Sequence, residues 1–354
     1  MNGLRPSGNG YATGGSGFGV DVDLVVFEGA VLALPAGALV AGGFTEASAA
    51  DDRMQPTAPT ATMRPDFRFN PTQPPLSGAA DRTAHRWSYT ELHMGVPVRC
   101  TLFSNTDASA RSAARTVFGT FGRCDAVFSD WRPETEAMRL CAEADGRWHP
   151  VSPMMHTVLR DALRVARATG GVFDVTVGPL VRLWRESRRS GSLPSPAALR
   201  DARRRVGIDR IEIDPVRPKA RVTPGTLLDF GGIAKGYAAR LAVDSAMKLP
   251  GVGSVLVEAG GDIAAGPPPP GASGWRIALP SGSIVNLERS SLSTSGDDYQ
   301  RVEIAGRRYA HIVDPRTGLG AESVRRTCVQ GRDGGLVDAL ATAACLLDDA
   351  ARTH

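Results

Sequence analysis

Lysine is nearly absent from this chain: it occurs only at Lys219, Lys235 and Lys248, and arginine supplies the rest of the 41 basic residues. Because 37 acidic residues leave a net charge of only +4 over 354 residues, the composition does not indicate nucleic-acid binding. The same scarcity makes Lys235, which stands inside a glycine-rich turn, a candidate for a specific role.

Long apolar runs and paired cysteines are also missing. No stretch approaches the ~18 consecutive apolar residues of a membrane-spanning helix, so no transmembrane segment is expected. The five cysteines are odd in number and have no metal-type spacing, which predicts neither a disulfide framework nor a zinc site. The first residues lack a basic start followed by an apolar run. We therefore expect a cytoplasmic protein.

The chain divides into two parts by composition. Residues 1–85 are rich in Gly, Ala, Pro, Ser and Thr, which predicts a low-complexity, mobile extension, with a short hairpin or helix at 24–41. Residues 86–354 show strand-like and helix-like periodicity. Strands are predicted at 94–104, 210–214, 253–259, 275–279, 308–313 and 324–330, and helices at 109–128, 153–169, 196–206, 235–249 and 336–351. This order predicts an α+β (mixed α/β) domain with a mixed sheet flanked by helices.

Residues 226–240 form the most informative stretch, TLLDFGGIAKGYAAR. Glycines let the backbone approach a ligand, and a lysine at a helix N-terminus attracts phosphate, so Gly231, Gly232 and Lys235 suggest a pyrophosphate site. A simple tight turn is the other interpretation. The Asp229-Phe-Gly tripeptide lacks the other kinase motifs, and Lys235 precedes the last glycine, which does not fit a Walker motif.

Asp338 and Thr342 are four residues apart on a predicted helix and therefore share one face. A carboxylate and a hydroxyl are hard oxygen donors that suit Mg²⁺. The alternative is an exposed aspartate near a helix start and an ordinary threonine.

Histidine and ring-bearing side chains give further candidates. His311 precedes a turn with the sequence DPRTG at 314–318, where it could be a general base or a structural residue. Met94, Trp131 and Phe173 could flank a planar ring or belong to the core.

Eight blocks stand in a recognisable order: MG at 94–95, FSDW at 128–131, GVFDVTVGP at 171–179, LDFGGIAKGY at 228–237, EAGGD at 258–262, TSG at 294–296, HIVDPRTG at 311–318 and DALAT at 338–342. Together they resemble the ApbE family of FAD:protein FMN transferases. The resemblance implies an ApbE-like fold and a Mg²⁺-dependent reaction. The FMN half of FAD would be attached through a phosphoester to a Thr or Ser of a target flavoprotein, and AMP would be released.

The resemblance also assigns roles to residues. The metal would be held by Asp338, Thr342 and the carbonyl of Gly232. The FAD site would be lined by Met94, Trp131, Val172, Phe173, Asp174, Asp229, Lys235 and Ile312. His311 would be the base that acts on the acceptor hydroxyl. Two alternatives stay open: a Mg²⁺-dependent FAD pyrophosphatase that gives FMN and AMP, or a non-catalytic FAD-binding protein.

The sequence departs from the family pattern at three places. Arg139-Leu140 is followed by Cys141, where the family usually has asparagine. Gly335 stands where a carboxylate is common, which could weaken metal binding. The chain stops soon after Asp349, where relatives usually continue into further sheet, so an exposed edge strand is expected.

Overall fold

The computed structural model describes residues 22–27, 30–33, 84–279, 281–296, 301–322 and 326–347. Within these ranges the helices are α1 (Asp107–Phe128), α2 (Glu136–Ala142), α3 (Pro153–Ala168), α4 (Gly178–Ser190), α5 (Pro196–Arg203), α6 (Ala234–Ala246) and α7 (Gly334–Leu346). The strands are β1 (Val22–Phe27), β2 (Ala30–Ala33), β3 (His85–His93), β4 (Val96–Ser104), β5 (Trp148–Pro150), β6 (Ile211–Ile213), β7 (Lys219–Val222), β8 (Val252–Ala259), β9 (Asp262–Ala265), β10 (Trp275–Ala278), β11 (Ile284–Leu287), β12 (Ser291–Ser295), β13 (Arg301–Ile304), β14 (Arg307–Ala310) and β15 (Thr327–Gly331).

An eight-stranded sheet lies at the centre of the fold, in the order β2-β1-β15-β12-β9-β8-β4-β3. Each neighbouring pair in this sheet is antiparallel. Strand β8 illustrates why the sheet is central: Val255 and Val257 pack into the main core, while Leu256 between them packs on the other face. Period-2 alternation with apolar residues on both faces makes a strand that is covered on both sides.

Different elements cover the two faces. Helices α1, α6 and α7 pack against one another and against the sheet on the first face. The hairpin β10–β11 covers the second face with Trp275 and Leu287. The predicted α+β class is confirmed. Among the described helices, none has the length and apolar character that crossing a membrane would require.

The predicted helix starts at Ser152 and Ser195 are confirmed. The Ser152 hydroxyl accepts a hydrogen bond from the backbone N–H of Met155, and Pro153 occupies the first turn, where its missing N–H costs nothing. Ser195 caps α5 in the same way. Helices α2 and α4 were not predicted; α4 begins at Gly178 and Pro179, which the sequence interpretation had assigned to a turn.

The hairpin β1–β2 lies within the segment that was predicted to be an extension. Strand β1 pairs with β15, from Val22 opposite Gly331 to Phe27 opposite Thr327. The β15 edge, where an exposed strand was expected, is therefore paired. The expected mobile linker at 51–82, the start of the strand predicted at 324, and the end of the helix predicted at 351 lie outside the described residues.

Candidate active site

The glycine-rich corner before α6 is held from within. The Asp229 carboxylate accepts a hydrogen bond from the Gly231 N–H at 2.8 Å, while Leu228 and Phe230 on either side are buried. Helix α6 begins at Ala234, and its N-cap residue Ile233 supplies no side-chain hydrogen bond. The N–H groups of the first helical turn therefore need partners from another element.

Helix α7 supplies such a partner. Asp338 Oδ2 accepts a hydrogen bond from the Gly236 N–H at 3.1 Å, and Asp338 is only 4% exposed. The alternative of an exposed aspartate is therefore wrong. A carboxylate at a helix N-terminus is also stabilised by the positive end of the helix dipole.

Two glycines make this approach possible. A Cβ atom on Gly236 would lie 2.1 Å from the carbonyl oxygen of Gly334, and a Cβ atom on Gly334 would lie 2.2 Å from that of Gly236. Helices α6 and α7 thus meet backbone to backbone, a contact that we call the glycine crossing. A methyl group on either residue would push the helices apart and move Asp338 away from α6.

Lys235 lies between two buried carboxylates. Its ammonium donates to the Gly231 carbonyl at 2.8 Å and lies 3.5 Å from Asp262 Oδ2 and 3.9 Å from Asp338 Oδ2. The other Asp262 oxygen accepts from the Ser293 hydroxyl at 2.6 Å. Strands β9 and β12 therefore contribute to the same cluster as α6 and α7.

The electrostatics of this cluster favour additional positive charge. Burial raises the pKa of Asp338 to about 7, and the Asp262 carboxylate acts in the same direction, against Lys235. Burial likewise raises the pKa of Asp262, although Lys235 and Ser293 oppose it. Burial disfavours the charged form of Lys235, but the carboxylates of Asp338, Asp262 and Asp229 outweigh it and raise its pKa. Two buried carboxylates thus share one ammonium group.

Thr342 and Phe173 lie against Gly232. A Cβ atom on Gly232 would be 2.9 Å from Thr342 Oγ1 and 3.3 Å from Phe173 Cε2. The structure therefore brings together the three predicted metal-holding residues, two at the corner before α6 and on α7 next to Asp338. In the described ranges, no group of three or more His, Cys, Asp or Glu could hold a metal, so a metal here would depend on mixed oxygen donors.

Trp131 lies on the surface, 74% exposed, and it is stacked on an arginine. The Arg185 guanidinium is 4.2 Å from the Trp131 ring centroid. Arg185 also forms an ion pair with Asp130, and its Nη2 lies 3.4 Å from Asp229 Oδ2. Two predicted FAD-site residues, Trp131 and Asp229, are thereby connected through a residue that was not predicted.

The three ring-flanking candidates have different environments. Phe173 is buried in the main core, so the core interpretation fits it. Met94 is partly buried against that core at the turn between β3 and β4, where its φ of 49° and Gly95 form a tight left-handed turn. Only Trp131 among the three presents a largely exposed ring.

Val172 and Ile312 meet in a smaller cluster that also contains Leu346 from α7. Asp174 is buried, and its Oδ1 accepts hydrogen bonds from the Thr176 N–H and hydroxyl, both at 2.7 Å. Burial raises the pKa of Asp174, while these hydrogen bonds oppose the rise. The Asp174 carboxylate therefore shapes the 3-10 turn Val175–Val177.

His311 is exposed and directly follows β14. Its neighbour Ile312 packs in the Val172 cluster, and the turn that follows is fixed by Asp314. The Asp314 carboxylate accepts from the Arg316 backbone N–H at 2.8 Å, and the Arg316 side chain donates to the Leu346 carbonyl at 2.6 Å. The end of α7 thus anchors the segment that carries His311.

The structure also accounts for two of the sequence departures. Cys141 Sγ accepts a hydrogen bond from the Leu228 N–H at 3.3 Å, so the thiol contacts the backbone that leads into the glycine-rich corner. Gly335 is buried beside Asp333, whose carboxylate caps α7 by accepting from the Leu336 N–H at 3.0 Å.

Asp262 and Arg185 were not among the predicted site residues. Asp262 had a local signal, the Gly260-Gly261-Asp262 corner, which resembles the corner at Asp229. Arg185 had none, because its partners Asp130 and Asp229 lie 55 and 44 residues away in sequence.

The fold and this cluster define an α+β protein with a buried charged site at the N-terminus of a helix. The family model described as the ApbE family matches residues 94–353, and the chain belongs to that family.

Individual relatives agree with this assignment. The chain is 28% identical over 241 residues to a FAD:protein FMN transferase of Klebsiella pneumoniae, covering 64% of this chain and 68% of the relative. The apo flavinyl transferase ApbE of Pseudomonas stutzeri matches with a TM-score of 0.65 at 28% identity, over 74% of this chain and 85% of that structure. The ApbE protein of Thermotoga maritima matches with a TM-score of 0.69 at 26% identity, over 76% and 90%.

Proposed function

We propose that this chain is a FAD:protein FMN transferase, which moves the FMN half of FAD to a Thr or Ser hydroxyl of an acceptor flavoprotein. The observation that carries the proposal is the buried cluster of Lys235, Asp262 and Asp338 at the N-terminus of α6. Helix N-termini and lysines bind phosphate, and FAD presents a pyrophosphate at its centre. The names of the relatives support the same reaction.

The reaction is a phosphoryl-type transfer. The acceptor oxygen bonds to the FMN phosphorus, the bond from this phosphorus to the bridging oxygen breaks, and AMP leaves with that oxygen. Such transfers depend on alignment and charge neutralisation rather than on a covalent enzyme intermediate. Lys235 supplies positive charge, and its bond to the Gly231 carbonyl fixes where that charge lies.

The donor set at Asp338, Thr342 and the Gly232 carbonyl fits Mg²⁺, a hard cation that prefers oxygen ligands. The shared ammonium described above leaves the two buried carboxylates short of positive charge, which supports the assignment. These three residues would hold the ion, and when bound it would neutralise charge on the pyrophosphate. Asp262, through its contact with Lys235, would keep the lysine within the site.

His311 is the proposed base. An unactivated hydroxyl is a weak nucleophile, so transfer benefits from a base that takes its proton. An exposed histidine on a segment anchored to α7 would be accessible to an incoming acceptor protein. The FAD-lining roles of Met94, Trp131, Val172, Phe173, Asp174, Asp229 and Ile312 are part of the same proposal.

The partners and location follow from the reaction. The partners would be FAD and an acceptor flavoprotein. The five cysteines are free thiols, which suits the cytoplasm proposed for this chain. A division at residue 85 between an extension and a transferase domain also remains our proposal, with β1–β2 as the part of the extension that joins the sheet.

The experiment is incubation with FAD, Mg²⁺ and a candidate acceptor, followed by intact-mass measurement of the acceptor and detection of AMP. We expect an FMN-sized addition to the acceptor that disappears when the metal is chelated. Release of FMN and AMP without addition to any acceptor would instead identify a pyrophosphatase.

A matched pair of variants tests the site. Asp338→Asn should abolish transfer while the protein stays folded, because asparagine can still accept from the Gly236 N–H but lacks the charge. Asp333→Asn on the same helix should transfer normally, because asparagine is an equally good N-cap. Equal rates in the two variants at limiting Mg²⁺ would remove Asp338 from the site.

A further inference from the structure

We propose that Arg185 is a positioning residue that orients Trp131 as a stacking platform for a planar ring of FAD. The inference rests on the proposed function, because Trp131 and Asp229 belong to the proposed FAD site. Arg185 itself lies on α4, outside every sequence block that indicated that site.

Arg185 is held firmly by two carboxylates. It forms an ion pair with Asp130 and lies 3.4 Å from Asp229, and these two acidic side chains are only 13% and 12% exposed. A guanidinium is planar and can contact two carboxylates while its face stacks on an aromatic ring. The plane of Arg185 is therefore fixed from below while it faces Trp131.

The Trp131 ring depends on that contact. A side chain that is 74% exposed has few packing neighbours to hold it, and the guanidinium at 4.2 Å is the stacking partner found for it. An aromatic ring fixed in one orientation loses less entropy when a ligand ring stacks on its other face. Arg185 thus prepares Trp131 for a planar ligand.

Asp229 connects this stack to the phosphate end of the site. One of its oxygens faces Arg185, and the other accepts from the Gly231 N–H at 2.8 Å. The Gly231 carbonyl in turn accepts from Lys235 at 2.8 Å. The ring platform and the lysine are therefore tied to the same short corner, which fixes the distance between them.

A second arginine–tryptophan stack provides the matched control. The Arg221 guanidinium lies 5.2 Å from the Trp148 ring centroid. Arg221 pairs with Glu212, whose side chain is 53% exposed, and both strands belong to the small sheet β5-β7-β6. This stack has the same residue types but no contact with the glycine-rich corner.

The test is the affinity for FAD, measured by quenching of flavin fluorescence, together with the KM and kcat of transfer. Arg185→Gln should raise the Kd and KM for FAD about ten-fold, in the range expected for losing an aromatic stack. Arg185→Lys should recover part of the affinity, because it keeps the charge but not the planar stacking. Arg221→Gln should behave like the wild type.

Two further measurements separate positioning from other roles. Inhibition by inorganic pyrophosphate, which has no ring, should be unchanged in Arg185→Gln. In a Trp131→Ala background the same substitution should have little additional effect, because coupled residues are not additive. Separate titrations with AMP and riboflavin would identify which ring uses the platform.

The inference is overturned if Arg185→Gln binds FAD like the wild type, if pyrophosphate inhibition weakens equally, or if the loss is undiminished without Trp131. A wild-type protein that binds FAD but transfers no FMN would contradict the proposed function and leave this binding test intact.

Discussion

The glycine crossing and the Arg185–Trp131 stack lie at two ends of one proposed site, and they are built in opposite ways. At the crossing, two helix backbones touch, and the charged groups beside them are buried. At the stack, an exposed ring is held by an ion-paired arginine. Charges interact more strongly away from water, so the buried end suits charge neutralisation, whereas the exposed end suits the entry and exit of a large ligand.

The comparison predicts that substitutions at the crossing have the largest effect. Gly236→Ala should lower the free energy of unfolding by about 3 kcal/mol or more, at the upper end of overpacking effects, because the methyl group would overlap the Gly334 backbone. Transfer should be lost as well, since Asp338 could no longer reach the Gly236 N–H. Denaturant unfolding and the transfer assay measure the two effects.

The control is a glycine in the same kind of element without the contact. Gly122 lies in α1, and a Cβ atom there would meet nothing within 4 Å. Gly122→Ala should leave transfer intact and raise stability by up to ~1 kcal/mol, the difference in helix propensity. If both glycine variants behaved alike, close backbone packing would not explain the site.

His311 is expected to give an intermediate effect that is confined to chemistry. His311→Ala should reduce kcat by roughly 10²–10⁴-fold, the range for losing a general base, with little change in FAD affinity. Wild-type transfer should also decrease as the pH falls below neutrality, because a protonated imidazole cannot accept the hydroxyl proton.

His149→Ala provides the comparison for this variant. His149 contacts Asp145 at 2.8 Å in the small sheet, so its removal should not affect transfer. A His311 variant within a few-fold of the wild type, with pH-independent transfer, would assign the base to another group.

Removal of the exposed ring should have the smallest effect. Trp131→Ala should weaken FAD binding by about 1–2 kcal/mol, typical of one aromatic stack, and leave the unfolding midpoint unchanged. Trp148→Ala, which removes the ring stacked on Arg221, should change neither property. Equal FAD affinities for Trp131→Ala and the wild type would move the ring site elsewhere.

Local features were predictable from sequence. The caps at Ser152 and Ser195, the turn at Asp229 and the shared face of Asp338 and Thr342 depend on residues within four positions of each other. Capping and helical spacing are properties of short segments, so they can be recognised before the fold is known.

Contacts between distant segments were not predictable. The glycine crossing joins Gly236 and Gly334, and neither glycine identifies its partner. Burial of Asp338 could not be inferred either, because it depends on α6 lying against α7. The assignment of metal and FAD roles came instead from the order of the eight blocks, which reports ancestry rather than physics.

The pairing of β1 with β15 has a consequence for biosynthesis. Val22 lies opposite Gly331, so β1 leaves the ribosome before most of the chain has been made, and its partner is among the last segments to follow. At 5–20 residues per second, translation separates the two strands by about 15–60 s. During this interval the hydrogen-bonding edge of β1 has no β15 to pair with, and chaperone binding to the nascent chain would be strongest there. A stalled-ribosome series should therefore show protection of residues 22–27 only after β15 has emerged.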